Sequence, residues 1–461
     1  MKNQQQLRAG AAEVDISPPM GTQLAGNIGQ VRPVEEIADP IHARALVVEA
    51  GEETACILSL EVLAIADDEA DHLRRRAEEK FGIPAAHVMV HTVQNHAAPM
   101  IGARTYEELC DWLPEDATWL INDAGEYVEQ AIEGTLEAIR LAKERVEPVH
   151  VFAGRDMNDK VAFIRRIMMR DGTTETHPGY EQIANALCAE GQVDPEVAVV
   201  HFMNEEGTSI AALLHHTCHP VHGVSGRTVS AGWPGFWVAQ AKKSLGSDCV
   251  CMVINGCCGN VHHRDHFDRD HVDDPERIGE ILGDTTAYIL EQTDRIEGVP
   301  LVCINETVAI PYRKVPEDEL EEVRTLIAEN PEPMWLDEEK TRVDWEWCYA
   351  TSVTDVHDLR EREGEYDYEV QGIRIGDLAL VALTGEPFVQ GQLEMKEKSP
   401  AAYLFPAHMS NGYVGYLPTR EAFRRGGYET RTALWSRLDE SALEMVVARS
   451  RSVVEQLYER D

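Results

Sequence analysis

The chain has 461 residues, and its 81 acidic against 42 basic side chains give a formal charge of −39. A field of that sign repels phosphate backbones and anionic headgroups, which argues against nucleic-acid binding and against docking on an anionic membrane. The apolar fraction of 43% is enough for a substantial core, the start Met1–Gly10 is polar rather than leader-like, and no stretch approaches the ~20 apolar residues of a spanning helix. Cys249/Cys251 and Cys257/Cys258 are close pairs but not CxxC motifs, so reduced thiols in a cytoplasm are expected rather than a disulfide framework or a thiolate zinc finger.

In chain order, Arg8–Leu24 reads as a strand entering a turn, where Asp15-Ile-Ser-Pro-Pro19 stops regular structure. Ala43–Glu49 and Thr54–Ala64 are apolar runs of buried-strand type. Asp67–Phe81 has the periodicity of an amphipathic helix, and Val88–Val90 is a short strand ending at His91. A long helix is expected over Asn122–Glu144, then strands at Val149–Ala153, Val197–Met203, Ser209–His215 and Cys249–Ile254. Helices follow at Asp274–Glu291 and Glu317–Glu329, whereas Asn330–Asp367 has no clear period. Tyr368–Ile375 and Leu378–Leu383 flank the hairpin signal Gly376-Asp377, and Glu440–Tyr458 closes the chain as a helix. Strand and helix alternate without repeats or linkers, so the expectation is one large α/β catalytic domain over residues 1–461, with mixed β-sheets flanked by helices.

The 18 histidines are unevenly spread, and several fall where predicted strands end, which is where α/β sheets place ligand-binding groups. His91 and His96 follow one strand, His215, His216, His219 and His222 a second, and His262, His263, His266 and His271 a third. Imidazoles from separate segments can converge on one metal. Asp265, Asp268, Asp270, Asp273 and Asp274 offer either a second metal site or a polar loop, and the loop is the reading adopted. Asn255-Gly-Cys-Cys-Gly-Asn260 is a tight turn whose amides could approach an oxyanion, but it is neither a P-loop nor a GxSxG elbow. Thr384-Gly-Glu-Pro387 sets a carboxylate at a strand end, and Asn411-Gly-Tyr-Val-Gly-Tyr416 displays two tyrosines.

Taken in order, a series of segments resembles the neutral/alkaline ceramidase family. It comprises Ala9–Pro19, Val88–Pro99, Phe163-Ile-Arg-Arg166 with Arg170-Asp-Gly172, His216-Thr-Cys-His-Pro220, Ser230-Ala-Gly-Trp-Pro-Gly235, Asn255–Asn260, Ile373–Asp377, Thr384–Pro387 and Gly412–Thr419. The resemblance implies an α/β catalytic domain that holds one zinc ion and cleaves an amide. It places metal ligands at His219, Glu386 and Tyr413, with Tyr416 as the alternative register for the tyrosine. The family's first histidine ligand falls on Gln94, its glycine-turn serine on His262, and an aspartate on Gly232. Three repairs stay open: His96 or His91 becomes the ligand, His262 or His263 supplies the nitrogen, or the metal is different or lacking. Arg165, Arg166 and whichever of His96 and His262 does not bind metal are the expected oxyanion and proton groups, alongside Tyr416.

The family's lipid substrate fits poorly with the charge, the polar start and a chain that stops short of the C-terminal sandwich domain expected for the family. The function expected is therefore hydrolysis of an amide in a small soluble molecule, with one divalent cation, zinc. The alternatives are a metal-dependent isomerase, epimerase or lyase on the same scaffold, and a non-catalytic binding protein.

Overall fold

The computed structural model describes residues 6–102, 120, 124–298 and 300–459. A nine-stranded mixed sheet is built from β1 (Arg8–Asp15), β2 (His42–Ala50), β3 (Glu53–Leu60), β4 (Val88–Thr92), β5 (Glu147–Met157), β6 (Glu196–Asn204), β7 (Ser209–His216), β8 (Val250–Asn255) and β9 (Asp294–Ile296). Its order is β8-β7-β6-β5-β1-β2-β3-β4, with β9 also on β5. The β7–β8 and β3–β4 pairs are parallel and the others antiparallel. A second, four-stranded sheet runs β10 (Leu301–Pro311), β11 (Glu365–Ile375), β12 (Leu378–Leu383), β13 (Tyr403–Ala407), with only β12–β13 parallel.

The apolar runs exist because these strands are buried on both faces. In β2, Ala43, Ala45 and Val47 face helices while Leu46 and Val48 face the second sheet. In β8, Cys251 and Val253 face helices while Val250, Met252 and Ile254 meet Ile373, Leu380 and Phe405 of the second sheet. The helices α1 (Asp67–Phe81), α2 (Tyr127–Glu144), α3 (Gly232–Leu245) and α4 (Pro275–Leu290) cover the outer face of the large sheet. Helices α5 (Glu317–Glu329), α6 (Trp345–Glu363) and α8 (Ala442–Glu459) cover the small one, and α7 (Val389–Lys396) lies between. The result is four layers, α/β/β/α, so the mixed α/β architecture expected from the sequence is what the chain adopts. No described helix is long and apolar enough to cross a membrane.

The limits of α1 and α5 coincide with the expected ones. The expected start of α2, Asn122, lies outside the described residues. Helix α6 occupies the stretch that had no period: eight of its side chains are buried, among them Trp347, Tyr349, Val353 and Val356, so no polar stripe marks it. Asp344 caps it by accepting from the Glu346 and Trp347 amides.

Strand twist of ~20–25° per step accumulates over the large sheet, and its two ends meet. The Ser59 hydroxyl donates to Val253 O at 2.8 Å, and the Asn255 amide donates to His91 Nε2 at 3.1 Å. The Asn255 side chain then ties Val93 O (3.1 Å) to Cys218 O (2.9 Å). The ends of β4, β7 and β8 are thereby drawn to one place.

Candidate metal centre and the histidine cluster beside it

Behind these strand ends lies a cavity of about 40 Å³, room for a few waters. Gln94, His96, Glu386, Tyr413 and Tyr416 line its polar side, and Leu63, Met100 and Met409 its apolar side. Gln94 and Met409 hold left-handed backbones, φ 68° and 49°, a conformation that costs on the order of 1 kcal/mol and is common at functional sites.

His96 reaches His219 across the cavity edge, Nε2 to Nε2 at 2.9 Å. The Nδ1 of His96 faces Gly26 O at 3.1 Å, and that of His219 faces Cys258 O at 3.4 Å. A carbonyl only accepts, so each Nδ1 carries the proton and each Nε2 is left with a lone pair. Gly26, at φ 91°, is needed for this approach, because a Cβ there would stand 2.5 Å from His96 Nδ1. Desolvation takes His96 down to about 3 and His219 well below its ordinary value, so both rings are neutral.

Glu386 opens the short strand Glu386–Pro387, which pairs with Tyr416–Leu417 and so sets carboxylate and phenol side by side. Its Oε1 accepts from Tyr413 at 3.0 Å, while Oε2 is buried without a partner. Burial raises the Glu386 pKa, opposed chiefly by the Arg165 charge. Gln94, which stands at the family's first histidine position, faces Cys258, its Oε1 lying 3.5 Å from the Cys258 Sγ. Two converging imidazole lone pairs and an orphaned carboxylate oxygen suit a divalent cation of borderline softness. The Glu386 oxygens do not close on both rings, however. The described histidine, cysteine and acidic side chains whose donor atoms all lie within 4.8 Å of one another are His222, His263 and Asp273.

Arg165 and Arg166 diverge. Arg165 lies over the Tyr416 ring (5.3 Å) and donates to Glu429 (2.8 Å) and Gly259 O (2.7 Å). Arg166 is fully buried, bound to Glu190, to Glu429 at 2.7 Å and to Gly426 O at 2.7 Å, and so serves the scaffold behind the cavity. His91 is committed at both nitrogens, donating through Nδ1 to His408 O (2.8 Å) and accepting at Nε2 from Asn255. The glycine turn is a packing device: the Gly259 amide donates to Pro387 O at 3.1 Å, and a Cβ there would meet Glu386 O at 2.3 Å.

His262 points into a group of aromatic rings beside the cavity, 4.0 Å from His263 and 4.4 Å from His177. His222 stacks on His263 at 3.7 Å, and Asp273 Oδ1 lies 2.9 Å from His222 Nε2 and 2.6 Å from His263 Nδ1. Most of the acidic loop behaves as the polar loop expected. Asp265, Asp268 and Asp274 accept the amides of Phe267, Asp270 and Glu276, whereas Asp273 turns to the two imidazoles.

No known family model matches the chain, and no curated protein matches it in sequence. By structure it is similar to the neutral ceramidase from Pseudomonas aeruginosa, with a TM-score of 0.73 and 15% identity over 99% of this chain and 75% of that one. It is also similar to a ceramidase complexed with C2, with a TM-score of 0.70 and 16% identity over 99% and 76%. The fold is neutral-ceramidase-like. Within that ceramidase-like scaffold the sequence gives no hint of two buried ions, Arg32 and Glu429, or of the exposed His177 beside the site. Arg32, with no exposed surface, donates to Ala25 O, His96 O, Gly223 O and Gly226 O, all carbonyls. Glu429 neutralises both arginines, and His177 contacts His262 and His266.

Proposed function

We propose that the protein is a metal-dependent amidohydrolase acting on a small soluble substrate, with His219, His96, Glu386 and Tyr413 holding one zinc ion. The observation that carries this reading is the pair of neutral imidazoles whose bare Nε2 atoms meet at 2.9 Å beside Glu386. A bound divalent ion supplies Lewis acidity to a scissile carbonyl and lowers the pKa of water toward ~7. The protein's part is orientation: two carbonyls fix the ring tautomers, and the Tyr413 hydroxyl aligns the Glu386 carboxylate. Tyr416, backed by Arg165, offers a phenol hydroxyl to a developing oxyanion, a contribution of about 3 kcal/mol.

The small cavity supports a short acyl group, and the acidic surface favours a neutral or cationic molecule over an anionic one. Neither a membrane nor a nucleic acid is a partner in this reading. The buried thiols Cys257 and Cys258 support action in a reducing, cytoplasmic compartment.

The test is hydrolysis of a panel of N-acyl amino acids and N-acyl amines, followed by mass spectrometry, with metal content measured in parallel. Chelation and His219→Ala should each abolish turnover, and Tyr416→Phe should lower kcat about 100-fold with little change in KM. Unchanged hydrolysis by metal-stripped protein overturns the proposal. Solvent deuterium entering an unhydrolysed substrate would move it to an isomerase or lyase.

A further inference from the structure

We propose that His222, His263 and Asp273 form a second divalent-cation site, built on atoms that the His96–His219 centre does not use. Three separate segments deliver them. His222 lies in the loop after β7, His263 directly follows the short strand Val261–His262, and Asp273 stands two residues ahead of α4. The Asp273 backbone is held in place by its neighbour: Asp274 caps α4 by accepting the Glu276 amide at 3.0 Å, and Pro275 opens the first turn.

The contacts differ from those of an ordinary hydrogen-bonded triad. Asp273 Oδ1 sits 2.9 Å from one imidazole nitrogen and 2.6 Å from the other, yet neither nitrogen meets it in hydrogen-bond geometry. The rings lie face to face, 16° from parallel, so an ion held between their nitrogens requires one imidazole to turn out of the stack, while the donor atoms of all three residues already lie within 4.8 Å of one another. His263 is 2% exposed and its Nε2 is also buried without a partner. An orphaned buried nitrogen carries a desolvation cost, which an ion beside Asp273 would remove for His222 Nε2 and His263 Nδ1. The Asp273 side chain is 44% exposed, which leaves the outer side of the site open to water or to a ligand. Two imidazoles and one carboxylate with an open side suit zinc, manganese, cobalt or ferrous iron rather than magnesium or calcium.

The test titrates cobalt(II) into the chelator-stripped full chain, followed by visible absorption and calorimetry. The wild type should take two equivalents, Asp273→Asn one and His219→Ala one. His222→Gln, with a thermal melt for both variants, guards against a folding artefact. A wild type whose stoichiometry is unchanged by Asp273→Asn and His222→Gln overturns the second site. A single equivalent that His219→Ala removes and Asp273→Asn retains also overturns it, and leaves the hydrolase reading standing. A single equivalent with the opposite pattern supports the second site and sinks the first. A chain that binds none removes both.

Discussion

Two imidazoles that have each given their Nδ1 proton to a carbonyl can share nothing but lone pairs, and His96 and His219 are held in that position at 2.9 Å. Burial pulls both rings below their ordinary pKa, which keeps them neutral, and the proposed zinc ion would sit between the two Nε2 atoms. Removing one ring, as in His219→Ala, should weaken zinc binding at this centre at least ~100-fold, measured by competition with a chromophoric chelator. Arg32 acts from behind, joining the backbones of Ala25 and His96 to the 223–226 loop through four carbonyls. Arg32→Met strands those acceptors and should cost about 3 kcal/mol in a urea titration; a loss under 1 kcal/mol would show that water replaces the guanidinium. His219 and Glu386 stood out in the sequence because each lies just past an apolar strand, and Tyr413 because it lies in the glycine-rich turn ahead of Tyr416–Leu417. Arg32 and Glu429 did not, since in so charged a chain a buried ion reads like any surface charge.

At the scale of elements, the Asn255–Asn260 turn fixes the distance between the end of β8 and the Glu386 strand. Gly259→Ala would set a Cβ 2.3 Å from Glu386 O and 3.0 Å from Pro387 O, both backbone atoms that cannot swing away. The expected cost is about 2–3 kcal/mol, read as a lower urea midpoint with an unchanged slope. Helix α6 carries its own test. Burial, with Asp358 nearby, raises the Asp355 carboxyl to about 7. The folded state then keeps a proton that the unfolded chain releases near pH 4, so this residue lowers stability progressively as pH climbs from 4 to 7. Asp355→Asn should therefore stabilise the protein by about 1–2 kcal/mol at pH 8 and hardly at pH 4.5; equal melting shifts at both pH values would contradict this. The sequence concealed α6 because it is buried on several sides, whereas α1 and α5 follow the 3.6-residue period that solvent on one face imposes.

Across the whole molecule, the twist of the large sheet lets motifs far apart in the chain share one cavity. Sequence reading reached the α/β class through alternation of strand and helix. It could not reach the closure of β3 and β4 on β8, which rests on single contacts such as Ser59 to Val253 and Asn255 to His91. A net charge of −39 makes the folded chain repel itself. Raising salt from about 10 to about 200 mM shortens the Debye length from roughly 30 to 7 Å and should raise the melting temperature. A fall would mean that ion pairs such as Arg165–Glu429 and Arg166–Glu429 outweigh the repulsion. The central claim concerns one point in space, and an anomalous difference map from zinc-loaded crystals addresses it directly. A peak is expected ~2.0–2.1 Å from the Nε2 atoms of both His96 and His219, with Glu386 in its coordination shell. Zinc-loaded crystals with no peak between those two rings would contradict it.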